Sequence, residues 1–315
     1  MRAGVQEIRK KLLAWHDEHQ RDLPWRRTRD PYHILVSEIM LQQTRVAAVI
    51  PYYQRFLKRF PTPAALAGAR ETTVLRAWAG LGYYSRARNL QAAAKQIAKH
   101  GFPASYKDAL ALPGIGPYTA AAVMSIAFGQ PHAAVDGNVR RVLSRLLASH
   151  TAAQPEADAL LDQARPGDFN QAMMELGATV CLPRTPNCEA CPVSRHCKAR
   201  RLDQVARFPA RKIKRETEDV RITWAYIERD GAILLQPPKP DGLWNNFWTL
   251  PDILLRDAKL IARVRHTVTF RKIEIEVYSG RPARIPKGLV FVSVKKLRQL
   301  PLATPVRKAL AALRA

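Results

Sequence analysis

Cysteine is absent from this 315-residue chain except in one short stretch, where six, two and five residues separate Cys181, Cys188, Cys191 and Cys197. That usage disfavours disulfides and fits a reducing, cytoplasmic compartment, nucleoid-associated in a bacterium. Four soft ligands on one loop-rich segment make a single site, for a metal ion or an iron–sulfur cluster. Zinc and iron both suit four cysteines, and residue chemistry leaves the two open. Acidic residues are also few: 26 Asp and Glu face 51 Lys and Arg, a formal net charge of +25. A surplus of that size points to a polyanionic partner, with solubility or an arginine-rich proteome as the plainer alternatives. No apolar run reaches the length of a bilayer span, the longest lying around Thr119–Phe128, so no membrane is expected. The N-terminus carries Glu7, Asp17 and Glu18 among its basic residues and lacks the apolar core of a secretory signal. No solenoid-type repeat is present.

What is there reads first as helices joined by short turns. Val5, Ile8, Leu12 and Trp15 repeat at helical spacing, and further helices are expected over His33–Val49, Leu75–Trp78, Leu90–Ile97, Thr119–Phe128 and from Asp136 onward. After the cysteines the composition changes. Arg211 to Glu218 is charged and patternless, as a linker is. Beyond it Val220, Ile222, Trp224 and Tyr226 alternate, Asp230-Gly231 marks a hairpin, Ile273, Ile275 and Val277 alternate again, and 289–294 reads as a buried strand. Val306, Leu310 and Leu313 suggest a closing helix. The expected organisation is a mainly α domain over 1–210, a linker over 211–218, and a smaller α+β domain over 219–315.

Two segments carry candidate chemistry. Leu112-Pro-Gly-Ile-Gly-Pro-Tyr-Thr-Ala120 joins two helices through a glycine turn. Gly114 and Gly116 permit positive φ there and leave the N-terminus of the next helix open to an anion; an ordinary helical connection is the plainer reading. Val135-Asp136-Gly-Asn-Val-Arg-Arg puts an acid at the start of a basic helix, where aspartate is also a favoured N-cap. Upstream, Glu38, Gln42 and Arg45 follow i, i+4, i+7 and so share one polar stripe of the expected 33–49 helix, a solvated face on pattern alone.

The glycine turn followed by the acid resembles the helix-hairpin-helix DNA glycosylases. Leu23-Pro-Trp-Arg26, Val36-Ser-Glu-Ile-Met-Leu-Gln-Gln-Thr-Arg45, Gly80-Leu-Gly-Tyr-Tyr-Ser-Arg86 and Glu175-Leu-Gly-Ala-Thr-Val-Cys181 make the resemblance specific to the MutY family of adenine DNA glycosylases. It runs over essentially the whole chain. It implies a helix-hairpin-helix glycosylase fold with a 4Fe–4S loop at 181–197, followed by a Nudix-like lesion-recognition domain. It further implies base excision of adenine mispaired with 8-oxoguanine or guanine in double-stranded DNA, by a monomer.

By this resemblance Glu38 is the general acid, Asp136 stabilises or traps the sugar cation, and Tyr118 and Asn138 position the reacting groups. Trp25 and Arg26 border the base pocket; Gln43, Thr44, Leu81 and Tyr83 belong to the elements that wedge into the base stack; Gly114 and Gly116 grip a phosphate. Related lyases place a lysine where this chain has Tyr118, and tyrosine forms no imine, so a glycosylase without strand cleavage is expected. A bifunctional glycosylase/lyase acting on damaged pyrimidines is the alternative enzyme. A non-catalytic DNA-binding iron–sulfur protein is the alternative from another class.

In the second domain, Gly242-Leu-Trp-Asn-Asn-Phe-Trp-Thr-Leu-Pro251 is similar to a Nudix segment, but no Arg-Glu…Glu-Glu cluster follows, which makes a pyrophosphatase a poor reading and a DNA-binding relative a better one. The family's lesion-reading loop, His-Thr-Phe-Ser-His, stands here as His266-Thr-Val-Thr-Phe270. Thr269 keeps a hydroxyl for the lesion edge, whereas Phe270 has lost the histidine's donor.

Overall fold

Apolar residues three and four apart fold the first two-thirds of the chain into helices. In the computed structural model, which describes residues 2–210, 216–239, 243–244, 247–268, 270–297 and 300–313, these are α1 (Arg2–His19), α2 (Pro31–Leu41), α3 (Val46–Arg59), α4 (Pro63–Ala67), α5 (Glu71–Trp78), α6 (Ser85–His100), α7 (Tyr106–Leu110), α8 (Pro117–Phe128), α9 (Gly137–Leu147), α10 (Gln154–Leu160), α11 (Pro166–Thr179) and α12 (Lys198–Arg201). Their starts follow local chemistry. The Asp30 carboxylate accepts from the Tyr32 and His33 amides ahead of α2, with Pro31 in the first turn. Asp136 caps α9 through the Val139 amide at 2.7 Å. Gly129, at φ +68°, closes α8 in the left-handed conformation.

The expected single helix over 33–49 is two helices. The backbone leaves α2 at Gln42 (ψ 113°) and turns through Gln43 at φ +55° before α3 begins. No glycine or proline marks the break. Its cause is Arg86 of α6, whose guanidinium takes the carbonyl oxygens of Ile39, Met40 and Gln42, acceptors that a continuing helix would have used. The supposed Glu38–Gln42–Arg45 stripe is therefore broken: Arg45 is exposed ahead of α3, Gln42 reaches Thr119 on α8, and Glu38 is buried.

Two apolar cores result. One gathers α2, α3, α5, α6 and α8 around Leu35, Phe56, Trp78 and Met124; the other gathers α1, α9 and α11 around Leu12, Leu143, Phe169 and Met173. Each such side chain contributes about 1.5–3 kcal/mol by leaving water. Close approach between helices is set by small residues. A Cβ on Gly167 of α11 would lie 2.6 Å from the Ser125 carbonyl oxygen of α8, and one on Gly177 would lie 2.6 Å from the Asn138 Cβ.

The chain divides into units at Met1–Lys212 and Ile213–Ala315. The linker assigned to 211–218 lies outside the described residues at 211–215, and its last residue, Glu218, already belongs to a strand. The second unit holds β1 (Glu218–Tyr226), β2 (Glu228–Arg229), β3 (Ala232–Leu235), β4 (Leu255–Val268), β5 (Arg271–Pro282) and β6 (Val290–Ser293), with α13 (Val294–Leu297) and α14 (Thr304–Ala312). The sheets have orders β1-β5-β4 and β2-β3-β6, with β1 parallel to β5. Asp230 (φ +50°) and Gly231 (φ +67°) form the expected hairpin turn. Ile273, Ile275 and Val277 face the core as their alternation requires. The strand expected to be buried over 289–294 is instead a sheet edge, with Val290 and Phe291 exposed. After Pro251 the chain runs into the long strand β4.

Candidate active site

Glu38 projects from α2, Tyr118 from the first turn of α8, Asp136 and Asn138 from the start of α9, and Met174 and Glu175 from α11. All six line one cavity of about 560 Å³, together with Trp25, Arg26, Gln43 and Thr44. The two candidate carboxylates, 98 residues apart in sequence (136 − 38), thus share one chamber between the two apolar cores.

Glu38 is 6% exposed, and its Oε2 has no hydrogen-bond partner among the described residues. Burial, the strongest influence, raises its carboxyl to about 7. The nearby Asp136 charge adds to the rise, while the Tyr118 hydroxyl and Arg26 oppose it. A carboxyl with that value keeps a proton in a substantial fraction of molecules at neutral pH and can release it, as a general acid must. Tyr118 is pushed well above its ordinary value by burial and by the Glu38 and Asp136 charges, so it stays a neutral phenol; its hydroxyl lies 3.0 Å from the Met174 sulfur.

Asp136 is anchored at both oxygens. Oδ1 accepts from the Val139 amide at 2.7 Å, and Oδ2 accepts from Asn138 Nδ2 at 2.9 Å. Asn138 is oriented in turn by Arg141, whose Nη2 donates to Asn138 Oδ1 at 2.9 Å and to the Gly177 carbonyl at 2.7 Å. The same guanidinium donates through Nε to the Cys181 carbonyl at 2.8 Å. The N-cap geometry holds the Asp136 carboxylate in the wall of the cavity that Glu38 also lines. Such a pair can give a proton to a leaving group and stabilise the cation it leaves behind.

Known proteins resemble the chain over much of its length. Residues 36–164 match the model of the HhH-GPD superfamily of base excision DNA repair proteins. Identity to the adenine DNA glycosylase of Homo sapiens is 48% over 224 residues, 64% of this chain and 41% of that protein. Identity to the adenine DNA glycosylase of Buchnera aphidicola subsp. Baizongia pistaciae is 33% over 276 residues, covering 84% of this chain and 79% of the relative. The chain belongs to the adenine DNA glycosylase family. Among solved structures, a thermostable thymine-DNA glycosylase aligns with a TM-score of 0.60 at 31% identity, over 64% of this chain and 98% of that one. The chain spans less than half the length of the human and rat relatives.

Within this adenine DNA glycosylase family member, the remaining sequence-predicted residues fall at different places. Trp25 is buried and meets Tyr53 edge-on at 5.4 Å, as packing and pocket wall at once. Tyr83 is 49% exposed, whereas Leu81 is buried at 7%. Gly114 has φ +74° and faces Asn89, which a Cβ would strike at 2.5 Å. Gly116 does not use positive φ: it is the extended N-cap of α8 (φ −92°, ψ 178°), with open space where a Cβ would stand. Thr269 lies outside the described residues, as do Gly242, Asn245 and Asn246 of the Nudix-like segment. His266, Thr267 and Val268 end β4, and Phe270 precedes β5 beneath the Arg271 guanidinium.

Cys181, Cys188, Cys191 and Cys197 form no disulfide and line one small cavity with Arg145. Burial pushes the Cys191 thiol up to about 11. Arg145 Nη1 donates toward Cys181 Sγ at 3.3 Å and fixes the loop through the Leu182 and Pro183 carbonyls. Among the described residues no three His, Cys, Asp or Glu side chains converge tightly enough to hold a single ion.

One residue was missed as a site residue. Glu175, 1% exposed, accepts Arg21 Nε and Nη2 at 2.6 and 2.8 Å and Arg26 Nη2 at 2.6 Å. Burial would raise its carboxyl, but the hydrogen bonds from Arg21 and Arg26 prevail and hold it at about 2. Its partners lie 154 and 149 residues away, beyond any local signal. Glu175→Ala is expected to cost about 3–5 kcal/mol in urea unfolding at pH 7, because it leaves two guanidiniums facing each other. The depressed value means that this contribution is present above the ordinary carboxylate range and is lost as pH falls toward 2.

Proposed function

We propose that this chain removes adenine from double-stranded DNA at mispairs with 8-oxoguanine or guanine, without cutting the strand. The observation that carries the reading is a buried Glu38, its carboxyl raised to about 7, that lines one cavity with Tyr118 and a hydrogen-bonded Asp136. With the base extruded into the cavity, Glu38 gives its proton to the adenine ring. The bond between base nitrogen and sugar C1′ then breaks, and its electron pair leaves with neutral adenine. The Asp136 carboxylate stabilises the oxocarbenium ion and traps it as a sugar ester. Water then attacks C1′ as the ester bond to Asp136 breaks and the carboxylate leaves with the bonding pair, and the water's proton returns to Glu38, giving an abasic site. No lysine stands at Tyr118 to form a Schiff base and cleave the strand.

The four thiols suit a 4Fe–4S cluster, which would be held by Cys181, Cys188, Cys191 and Cys197 and braced by Arg145. Its place is outside the chemistry, as a staple for the loop between α11 and α12. The fit rests on the donor set: four free thiols about one cavity, without a histidine or carboxylate among its lining. A single zinc ion would draw the four sulfurs to roughly 3.8 Å from one another. The second unit is read as a Nudix-like domain without its hydrolytic helix, facing the 8-oxoguanine through the β4–β5 turn. Thr269 would supply the hydroxyl there. Phe270 supplies stacking only, which weakens lesion preference relative to relatives with histidine at this point.

The test uses the purified full chain on duplexes carrying A·8-oxoguanine or A·G. Adenine release is expected on both, with strand breaks appearing only after alkali. Breaks of equal yield without alkali would sink the monofunctional reading, and absence of adenine release would sink the whole assignment. The same preparation is expected to contain iron and acid-labile sulfide; stoichiometric zinc instead would remove the cluster.

A further inference from the structure

Arg86 is 8% exposed, yet its charged group has no carboxylate partner among the described residues. Instead Nη1 donates to the carbonyl oxygens of Ile39 and Met40 at 2.9 Å and of Gln42. Nη2 donates to Thr44 Oγ1 at 3.2 Å and to the carbonyls of Leu81 and Gly82 at 3.2 and 3.3 Å. The guanidinium also lies against the rings of Trp78 and Tyr83, 5.5 and 5.6 Å from their centroids. A guanidinium keeps its charge in a protein, so its burial is opposed by desolvation. Its acceptors are Ile39 and Met40 in the last turn of α2, Gln42 and Thr44 in the turn 42–45 that breaks α2 from α3, and Leu81 and Gly82 in the turn 80–83 that precedes α6.

Each turn contains one non-glycine residue in the left-handed region, Gln43 at φ +55° and Tyr83 at φ +46°. Both of these side chains are exposed. Left-handed conformations at such residues persist only where surrounding contacts impose them. Here one side chain supplies contacts to both turns at once. A lysine at this position would bring donors from a single nitrogen and could not span them.

We propose that Arg86 is a positioning residue for base extrusion: its single guanidinium fixes the two turns in register, so that Gln43 and Tyr83 enter the duplex as one rigid wedge. This rests on the glycosylase reading above. The role differs from a purely structural one in a measurable way, because it matters only when a paired base has to be displaced.

The experiment compares the full chain with Arg86→Lys and Arg86→Met in single-turnover excision. One substrate is an A·8-oxoguanine duplex; the other carries the target adenine as a one-nucleotide bulge with no opposite base. Both variants are expected to slow on the paired duplex by at least ~30-fold and on the bulge by less than ~3-fold, since the extrusion step is nearly made in advance. In a Glu38→Gln background, 2-aminopurine beside the target should brighten on binding, and Arg86→Lys should abolish that rise. Equal losses on both substrates, or full activity of Arg86→Lys on the paired duplex, would overturn the proposal. If Arg86→Met does not fold, Arg86→Lys carries the comparison, with its melting temperature measured alongside. Failure of the unaltered chain to release adenine from either substrate would remove the glycosylase reading and this proposal with it.

Discussion

Glu38→Gln is expected to leave duplex binding intact and to reduce adenine release by about 10²–10⁴-fold, the usual worth of a positioned general acid. Glutamine keeps the shape and burial of the side chain but has no proton to give. For the unaltered chain, single-turnover rates should fall as pH rises through about 7, where the Glu38 carboxyl ionises. The sign for stability follows from the same value. The unfolded chain loses this proton near the ordinary 4.5, whereas the folded chain keeps it until about 7. Stability from this group is therefore full below 4.5, declines between the two values, and is gone above 7. The decline amounts to about 3 kcal/mol. Glu38→Gln should lack that slope, so its melting temperature should gain on the unaltered protein as pH rises. A variant with unchanged excision, or a rate that climbs through pH 7, would show that Glu38 is not the acid.

Asp136→Asn should reduce excision by about 10²–10³-fold or more, the scale lost when one preorganised electrostatic contact to a developing charge is removed. Its virtue is that it separates chemistry from folding. Asparagine caps a helix as well as aspartate does, and its oxygen can still accept from the Val139 amide. The melting temperature should therefore barely move. The lost part is the anion facing the sugar, and the amide group now confronts Asn138 Nδ2, which donates to Oδ2 in the unaltered chain. Asp136→Ala should lose the activity and, in addition, about 1 kcal/mol of helix capping. Retention of excision by Asp136→Asn, measured beside a thermal melt, would exclude the carboxylate from the reaction.

Much of the fold was legible because its signals are local. Asp136 announces a helix start and Asp230-Gly231 a hairpin, each through hydrogen bonds or φ angles spanning a few residues. Alternation at Ile273, Ile275 and Val277 likewise reports which face of β5 is covered. Where pattern failed, a distant residue had intervened. The 33–49 stretch has an unbroken helical pattern, and only Arg86 explains why it stops at Leu41.

Read by itself, the sequence determined which residue types were available: four thiols in one loop, a glycine turn before Tyr118, an aspartate ready to cap a helix, and a basic surface. Motif order was enough to place the chain among helix-hairpin-helix glycosylases. Only the tertiary structure decided that Glu38 is buried with its carboxyl raised rather than solvated on a helix face, and that Glu175 serves Arg21 and Arg26. The reason is that a side chain's protonation depends on the water and charges around it. Those are supplied by elements scores of residues away, to which local periodicity is blind.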